Sequence, residues 1–400
     1  MISFTLERHQ QQLVDRCKGL AGEIRPWSFA ADMTRTAPEQ ALAAFRREEL
    51  FGLLVPENHG GLGFSVLDAM LALSELAKGD AAAALGFNMH HFAVWMINNL
   101  PGISDAKRAE FNRLLTQELS AALVSEDSAS SMHPGSFVPS LNARRVKGGY
   151  VLNGMKHFAS NFEVADWAMV FAHREDDPNP LSAIVLMMPR ETAGIAVHET
   201  FDLDGMRSTR SHSVEFSDVF ISDDRVLTEM DDFLSVVMAF GGVATFALYS
   251  SVYMGGGFRA LELAGENLLA TTPKGASLPK AYWPATTVVG GRALSGMQAA
   301  ESLLWRAACM VDTHGPAEAF PMLLSAKVAI CRGVSYVGRE LMDEQGANVY
   351  QRTLKGKPTE ANLLRRNLLT VNSQPPAETA ASSLLATLNW GLEIPKGLRL

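Results

Sequence analysis

Cysteine is scarce: Cys17, Cys309 and Cys331 are the only three in 400 residues. Their number is odd and they show no CxxC spacing. That argues against a disulfide framework and a thiolate metal site, and it suits a reducing compartment. Basic charge is also lacking, with 35 Lys and Arg against 43 Asp and Glu and a net charge of −8. The short basic run Arg144-Arg145-Val146-Lys147 has no aromatic residues interleaved. Such a balance argues against a nucleic-acid partner. The longest apolar run, Val236 to Val252, is broken by Gly241-Gly242 and by hydroxyl residues, short of the roughly 18–20 clean apolar residues of a membrane span. The first residues, Met-Ile-Ser-Phe-Thr-Leu-Glu-Arg-His, carry charge too early for a secretory signal, so a cytoplasmic protein is expected. No internal repeat, P-loop or GxGxxG pattern is present. His90 and His91 are neighbours in a helical stretch and point in different directions, which leaves no metal site expected.

Hydrophobic residues, by contrast, make up 47% of the chain, enough for a large core. Residues 1–120 read as helical. Leu6–Ile24 and Ala37–Leu54 carry apolar residues at near-helical spacing. Pro56 to Gly63 reads as a turn between helices. Ser65 then caps a helix from Val66 to Lys78, with Asp68 at the third position of a capping box. Another helix covers Ala81–Ile97. From about residue 121 the period changes to that of short alternating strands separated by turns, which predicts a compact antiparallel barrel or sandwich over 121–229. Residues 230–400 read as helical again. Phe233–Ala270 is expected as one long helix kinked near Gly255-Gly256-Gly257, 271–291 as a loop, and Glu301–Thr313, Phe320–Glu344 and Thr359–Val371 as further helices. The fold class is therefore α+β: an N-terminal helical domain, a middle β domain and a C-terminal helical bundle.

Residues 149–161, Gly-Tyr-Val-Leu-Asn-Gly-Met-Lys-His-Phe-Ala-Ser-Asn, hold the densest local signal. Asn153-Gly154 predicts a tight hairpin turn, since both residues tolerate positive φ. On the returning strand, alternation puts Lys156, Phe158 and Ser160 on one face. An aromatic ring and a hydroxyl on one face fit a flat ligand with a polar edge. The same pattern also fits a core Phe with a solvated Ser.

Several stretches together resemble the flavin-dependent acyl-CoA dehydrogenase family. They are Val55-Pro-Glu-Asn-His-Gly-Gly-Leu-Gly63, Glu75-Leu-Ala77, Val124-Ser-Glu126, the 149–161 stretch with Ala165-Asp166, and Leu203-Asp-Gly-Met-Arg-Ser-Thr-Arg-Ser-His-Ser-Val-Glu-Phe-Ser-Asp-Val219. Gln298 and Lys327 match more weakly. The resemblance implies a helical domain, a β-barrel and a four-helix bundle, usually assembled as a homo-oligomer, with FAD between the β domain and the bundles. It implies that Phe158 stacks on the flavin and that Ser160 hydrogen-bonds near N5. Leu123 and Ser125 would meet the pyrimidine side. Ser131, Thr209 and Ser211 would line the substrate cleft. The implied reaction is α,β-dehydrogenation of an acyl thioester, carried on CoA or on a carrier protein.

Two departures accompany the resemblance. The family's catalytic Glu follows an Arg-Asp pair late in the bundle. Here Asn367 stands for the Asp, and Gln374 or Pro375 falls where the Glu belongs. The alternative family position holds Thr245-Phe246. Glu378 is the nearest acid and so the candidate base. The family's phosphate-binding Arg-x-x-Phe-Gly is also missing, which leaves Arg292 or Lys274 as substitutes. Three functions follow: a thioester dehydrogenase with an unusual base, a flavin monooxygenase or N-oxygenase needing no such base, or a silent subunit in a heteromer with an active paralogue. His212 reads as a strand-surface residue, Trp167 as core, and Arg339, Arg365 and Arg366 as helix-surface charges.

Overall fold

The computed structural model describes residues 5–124, 141–179, 181–232, 240–373 and 377–392. Helix α1, Arg8–Thr34, continues past Pro26 and ends ten residues beyond its expected end at Ile24. Its buried stripe, Leu13, Cys17, Leu20, Ile24 and Ala31, packs chiefly on α3, and that packing outweighs the lost backbone bond. Helix α2 covers Glu39–Arg47. At α3, Val66–Gly79, the expected capping box is present: Asp68 N donates to Ser65 Oγ at 3.2 Å and Ser65 N donates to Asp68 Oδ2 at 3.0 Å. Helix α4, Ala81–Asn99, starts at Asp80, whose Oδ1 accepts from the Ala82 and Ala83 amides at 3.0 Å. Helix α5 spans Asp105–Leu115.

Eight strands follow: β1 Ser120–Leu123, β2 Asn142–Val146, β3 Gly149–Ala159, β4 Trp167–Arg174, β5 Ala183–Pro189, β6 Ile195–His198, β7 His212–Ser222 and β8 Val226–Met230. Their order is β6-β7-β3-β2-β4-β5-β8, with β1 added in parallel to β4. The end strands β6 and β8 do not pair, so the sheet is open where a barrel was expected. Nor is it wholly antiparallel, because β2 also meets β4 in parallel. Strands β4 and β5 are buried on both faces, as suits a sheet layered between helices.

Asn153-Gly154 is not a turn. Both residues lie within β3, one continuous strand of 11 residues, where the register with β7 shifts between Leu152 and Gly154. The bulge absorbs the extra residue, and the Asn153 side chain pairs with Asp218, whose φ is 51° on β7. The actual β2–β3 turn is Lys147-Gly148, with Gly148 at φ 81° and Val146 opposite Gly149.

After the sheet, Val243–Leu248 forms a π-helical segment that leads into α6, Tyr249–Ala270. The helix is unbroken through the three glycines. A side chain at Gly255 would lie 1.9 Å from the Ser74 carbonyl oxygen, so glycine there permits close packing of α6 on α3. Helix α7, Pro284–His314, begins inside the stretch read as a loop, with Pro284 in its first turn where a missing N–H costs nothing. Helix α8 is Pro316–Tyr336, α9 Glu360–Leu369 and α10 Glu378–Asn389. Pro316–Leu341 is the one helical run among the described residues long and apolar enough to cross a membrane. It packs against α6, α7 and α10, with 56% of its most apolar window buried, as a bundle core helix does.

Candidate functional site

The end of β3 and the start of β7 lie side by side, with Ala159 opposite His212. These strand ends and the loops beside them hold four of the eight non-glycine residues with positive φ among the described residues: Phe158 at 54°, Asn161 at 58°, Met206 at 54° and Arg210 at 48°. Such backbone is costly for residues with a Cβ and persists only where surrounding bonds enforce it. The enforcing bonds are present. Asn161 N donates to Thr209 O at 2.9 Å. Arg210 clamps Glu163 with two bonds of 2.8 and 3.0 Å.

The bulge between Lys156 and Ala159 breaks the simple alternation. Lys156 is fully buried and does not share a face with Phe158, which is 45% exposed. Beside that open ring lies a buried row of hydroxyls. Ser160 Oγ is 2.7 Å from Ser211 Oγ, Ser211 Oγ is 2.7 Å from Thr209 Oγ1, and Thr209 Oγ1 donates to the Met206 carbonyl at 2.8 Å. Phe158, Ser160, Thr209 and Ser211 are thus brought together.

Helix α9 holds this corner from behind. The Arg366 guanidinium makes two bonds to Asp32 of α1, at 2.6 and 3.1 Å, and also donates to the Asp204 carbonyl. Arg366 is buried, not a surface charge as expected. Next to it, Asn367 Oδ1 accepts from the Met206 amide at 2.8 Å. Arg365 does lie near the surface, against Asp343 and the Tyr350 ring.

Helix α4 packs against this corner and against the π-helical segment. A Cβ on Gly86 would lie 2.2 Å from the Asn161 amide, so the helix approaches that loop as closely as a glycine allows. His90 is structural. Its Nδ1 accepts from Ser120 N, so its Nε2–H donates to Phe51 O at 2.9 Å, and burial lowers its pKa to about 4. His91 is different. It is fully buried, neither ring nitrogen has a hydrogen-bond partner, and burial holds it neutral, with a pKa well below the usual value. Asn88 Oδ1 and both polar atoms of Asn161 are also unpartnered. His212 is buried at the start of β7, contrary to expectation. Its Nδ1 accepts from Phe201 N, so the proton sits on Nε2, which has no acceptor. The sequence reading set His91 aside as a poor metal ligand and placed His212 on a strand surface, and the structure buries both. A histidine pair inside an otherwise apolar helix was the one available signal.

The other candidates lie elsewhere. Leu123 is buried at the end of β1, which borders α4 and the turn at Phe162–Val164. Ser125 and Ser131 fall outside the described residues. Thr245 is half-buried on the π-helical segment. Glu378 opens α10 and pairs with Arg332 at 2.8 Å and with Ser382 at 3.0 Å, in no contact with the hydroxyl row. Arg292 lines a 470 Å³ groove between α7 and α8 together with Arg332. Among the described residues, no group of three metal-ligating side chains occurs.

The acyl-CoA dehydrogenase N-terminal domain model matches residues 7–129, and the middle domain model of the same family matches residues 121–219. Benzylmalonyl-CoA dehydrogenase of Aromatoleum aromaticum is 27% identical over 323 residues, 79% of this chain and 82% of that one. Dibenzothiophene monooxygenase of Rhodococcus erythropolis is 28% identical over 258 residues, 62% of this chain and 60% of that one. Among solved structures, a glutaryl-coenzyme A dehydrogenase superposes with a TM-score of 0.88 at 19% identity, covering 100% of this chain and 98% of that one. The FMN-bound TdsC of Paenibacillus sp. A11-2 superposes at 0.84 with 22% identity, covering 97% and 100%. These two structural likenesses establish the fold.

Proposed function

Since the chain belongs to the acyl-CoA dehydrogenase family, we propose that it is a flavin-dependent oxidoreductase whose flavin ring lies on Phe158 with its reactive edge at Ser160. The observation that carries this reading is the convergence of four strained residues on one exposed ring and one buried hydroxyl row. Strain of this kind concentrates at binding sites. A flat apolar face beside polar groups suits a flavin ring. When bound, the flavin supplies two-electron oxidation. Phe158 provides the stacking face and Ser160 a hydrogen-bonding group at the edge. The apolar residues of α4, which packs against this corner, would keep water and charge out, which sharpens electrostatic effects at the reacting atoms.

FAD is the flavin proposed. Arg292 is exposed and pairs with no carboxylate among the described residues, which leaves its guanidinium available to a diphosphate. The substrate class is an acyl thioester, on CoA or on a carrier protein, a reading supported by the dehydrogenase relative aligned over 79% of the chain. Leu278, Tyr282, Trp283, Val288 and Leu294 are exposed at and before the start of α7, which supports a homo-oligomer with a second copy covering them. Low cysteine content and three free thiols fit a cytoplasmic location.

Anaerobic titration of the yellow protein with acyl thioesters tests the substrate. Loss of the visible flavin band supports dehydrogenation, and an unchanged spectrum across a chain-length series rejects it. One observation favours a second reading. Among the described residues no carboxylate touches the hydroxyl row, and Thr245 holds the position where the family resemblance puts its alternative acid. Inserting oxygen from O₂ needs no base for an α-proton. Oxygenated product from pre-reduced flavin and O₂, with no bleaching by thioesters, would establish that reading. Isolation of a colourless protein would instead point to a silent subunit in a heteromer.

A further inference from the structure

We infer that the hydroxyl row at Ser160 is polarised, so that Ser160 presents an acceptor rather than a proton to the flavin edge and the site favours reduced over oxidised flavin. The inference rests on the proposed placement of the flavin at Ser160. Each hydroxyl has one proton to give. Thr209 donates its proton to the Met206 carbonyl. In the 2.7 Å contact between Thr209 and Ser211, the proton must then come from Ser211. In the 2.7 Å contact between Ser211 and Ser160, it must come from Ser160. With its proton committed inward, Ser160 Oγ has only lone pairs left for the cleft. The resemblance puts this hydroxyl near N5, where a donor is the ordinary expectation, and the row turns its proton inward instead.

The direction matters because flavin N5 changes character with redox state. Oxidised N5 is an acceptor and reduced N5–H is a donor. Reduced flavin would donate a hydrogen bond from N5–H to Ser160 while all three inward bonds persist, making four bonds in series. Oxidised flavin can be met only if the three hydroxyls rotate together, and Thr209 then gives up its bond to Met206. That leaves three bonds. The carbonyl of Met206 is the anchor of this preference. It is fixed by the positive φ of Met206 and by the bond from Met206 N to Asn367 Oδ1. One net hydrogen bond corresponds to roughly a tenfold ratio in favour of the reduced form, or about 30 mV for a two-electron couple.

Spectroelectrochemical titration of the full-length protein reconstituted with FAD tests this. Ser211→Ala and Thr209→Val each cut the row and leave Ser160 free to donate to oxidised N5. Each is expected to lower the flavin midpoint potential by the equivalent of about tenfold, and the double variant no further, because one chain is broken once. Thr209→Ser keeps the hydroxyl and is expected to hold the wild-type potential. Ser160→Ala separates the two levels of inference. If it leaves the potential and the visible spectrum unchanged, the flavin is not at Ser160. If Ser160→Ala shifts the potential while Ser211→Ala and Thr209→Val do not, the flavin placement stands and the polarity is wrong. Should Thr209→Val lose FAD altogether, Ser211→Ala compared with Thr209→Ser still decides.

Discussion

Asn367 Oδ1 accepts a hydrogen bond from the Met206 amide at 2.8 Å, across 161 residues of sequence. Asn367 stands where the family resemblance places an Asp, and its present partner is neutral backbone. Both residues are almost fully buried. Asn367→Ala strands a buried N–H and is expected to cost about 1–3 kcal/mol in urea unfolding. It should also loosen the Met206 turn and so weaken flavin binding. Asn367→Asp keeps an acceptor at the same place and should retain flavin far better than the Ala variant. Equal flavin retention by the two would show that Met206 is held by other contacts.

Phe158 sits at φ 54° and is 45% exposed. Truncation to Ala or Gly removes the stacking face, and each is expected to weaken flavin binding by about tenfold or more. The two should differ in stability. At positive φ, Gly avoids the Cβ clash, so the Gly variant is expected to be more stable than the Ala variant by about 1 kcal/mol. In a regular strand the order is the reverse. Fluorescence titration with FAD and denaturant melts of the two apoproteins read both effects.

The helix–sheet–helix order was legible because it rests on local periodicity. The Ser65–Asp68 capping box was legible because it is a short local motif. Asn153-Gly154 misled because tolerance of positive φ suits a bulge as well as a turn, and only the partner strand decides between them. Arg366 was misjudged because its partner Asp32 lies 334 residues away. His91 was set aside as a poor metal ligand, yet its lack of any partner emerges only once α4 is packed. Such long-range pairings leave no trace in local pattern.

Glu378 is the acid nearest in sequence to the family's catalytic position, but its carboxylate is paired with Arg332, whose side chain is 69% exposed. An ion pair at such a site contributes below about 1 kcal/mol. Glu378→Gln is therefore expected to leave thioester-dependent flavin bleaching within about twofold of wild type, since a lost general base would cost on the order of 10²-fold or more. Rates measured by anaerobic stopped flow decide it. A collapse of the rate in the Gln variant, with flavin content intact, would restore Glu378 as the base.

Arg292 lies on the groove between α7 and α8. If it meets the diphosphate of FAD, Arg292→Ala should weaken FAD by about tenfold, the scale of a hydrogen bond to a charged group. FMN has no diphosphate, so its affinity should not change. Parallel calorimetric titrations with the two flavins make the comparison. Equal losses for both would remove Arg292 from the cofactor site.

His90 and Asp80 oppose one another in acid. Burial lowers the pKa of His90 to about 4, so its neutral form is favoured in the fold. Its contribution is complete above pH 6.5 and is lost as pH falls toward 4, about 3 kcal/mol in all. His91 acts in the same direction. Burial raises Asp80 to about 6, so its neutral form is favoured too. That contribution is complete below the ordinary carboxylate pKa and is lost as pH rises through 6, again about 3 kcal/mol. Between pH 6 and 4 the gain at Asp80 offsets the loss at His90. Asp80→Asn removes the offset while its amide oxygen still accepts from Ala82 and Ala83. The variant is expected to be at least as stable as wild type at pH 7, and to lose about 3 kcal/mol more than wild type on going to pH 4. Urea unfolding at pH 7, 5 and 4 measures the difference. Parallel curves for the two proteins would show that Asp80 titrates at its ordinary value.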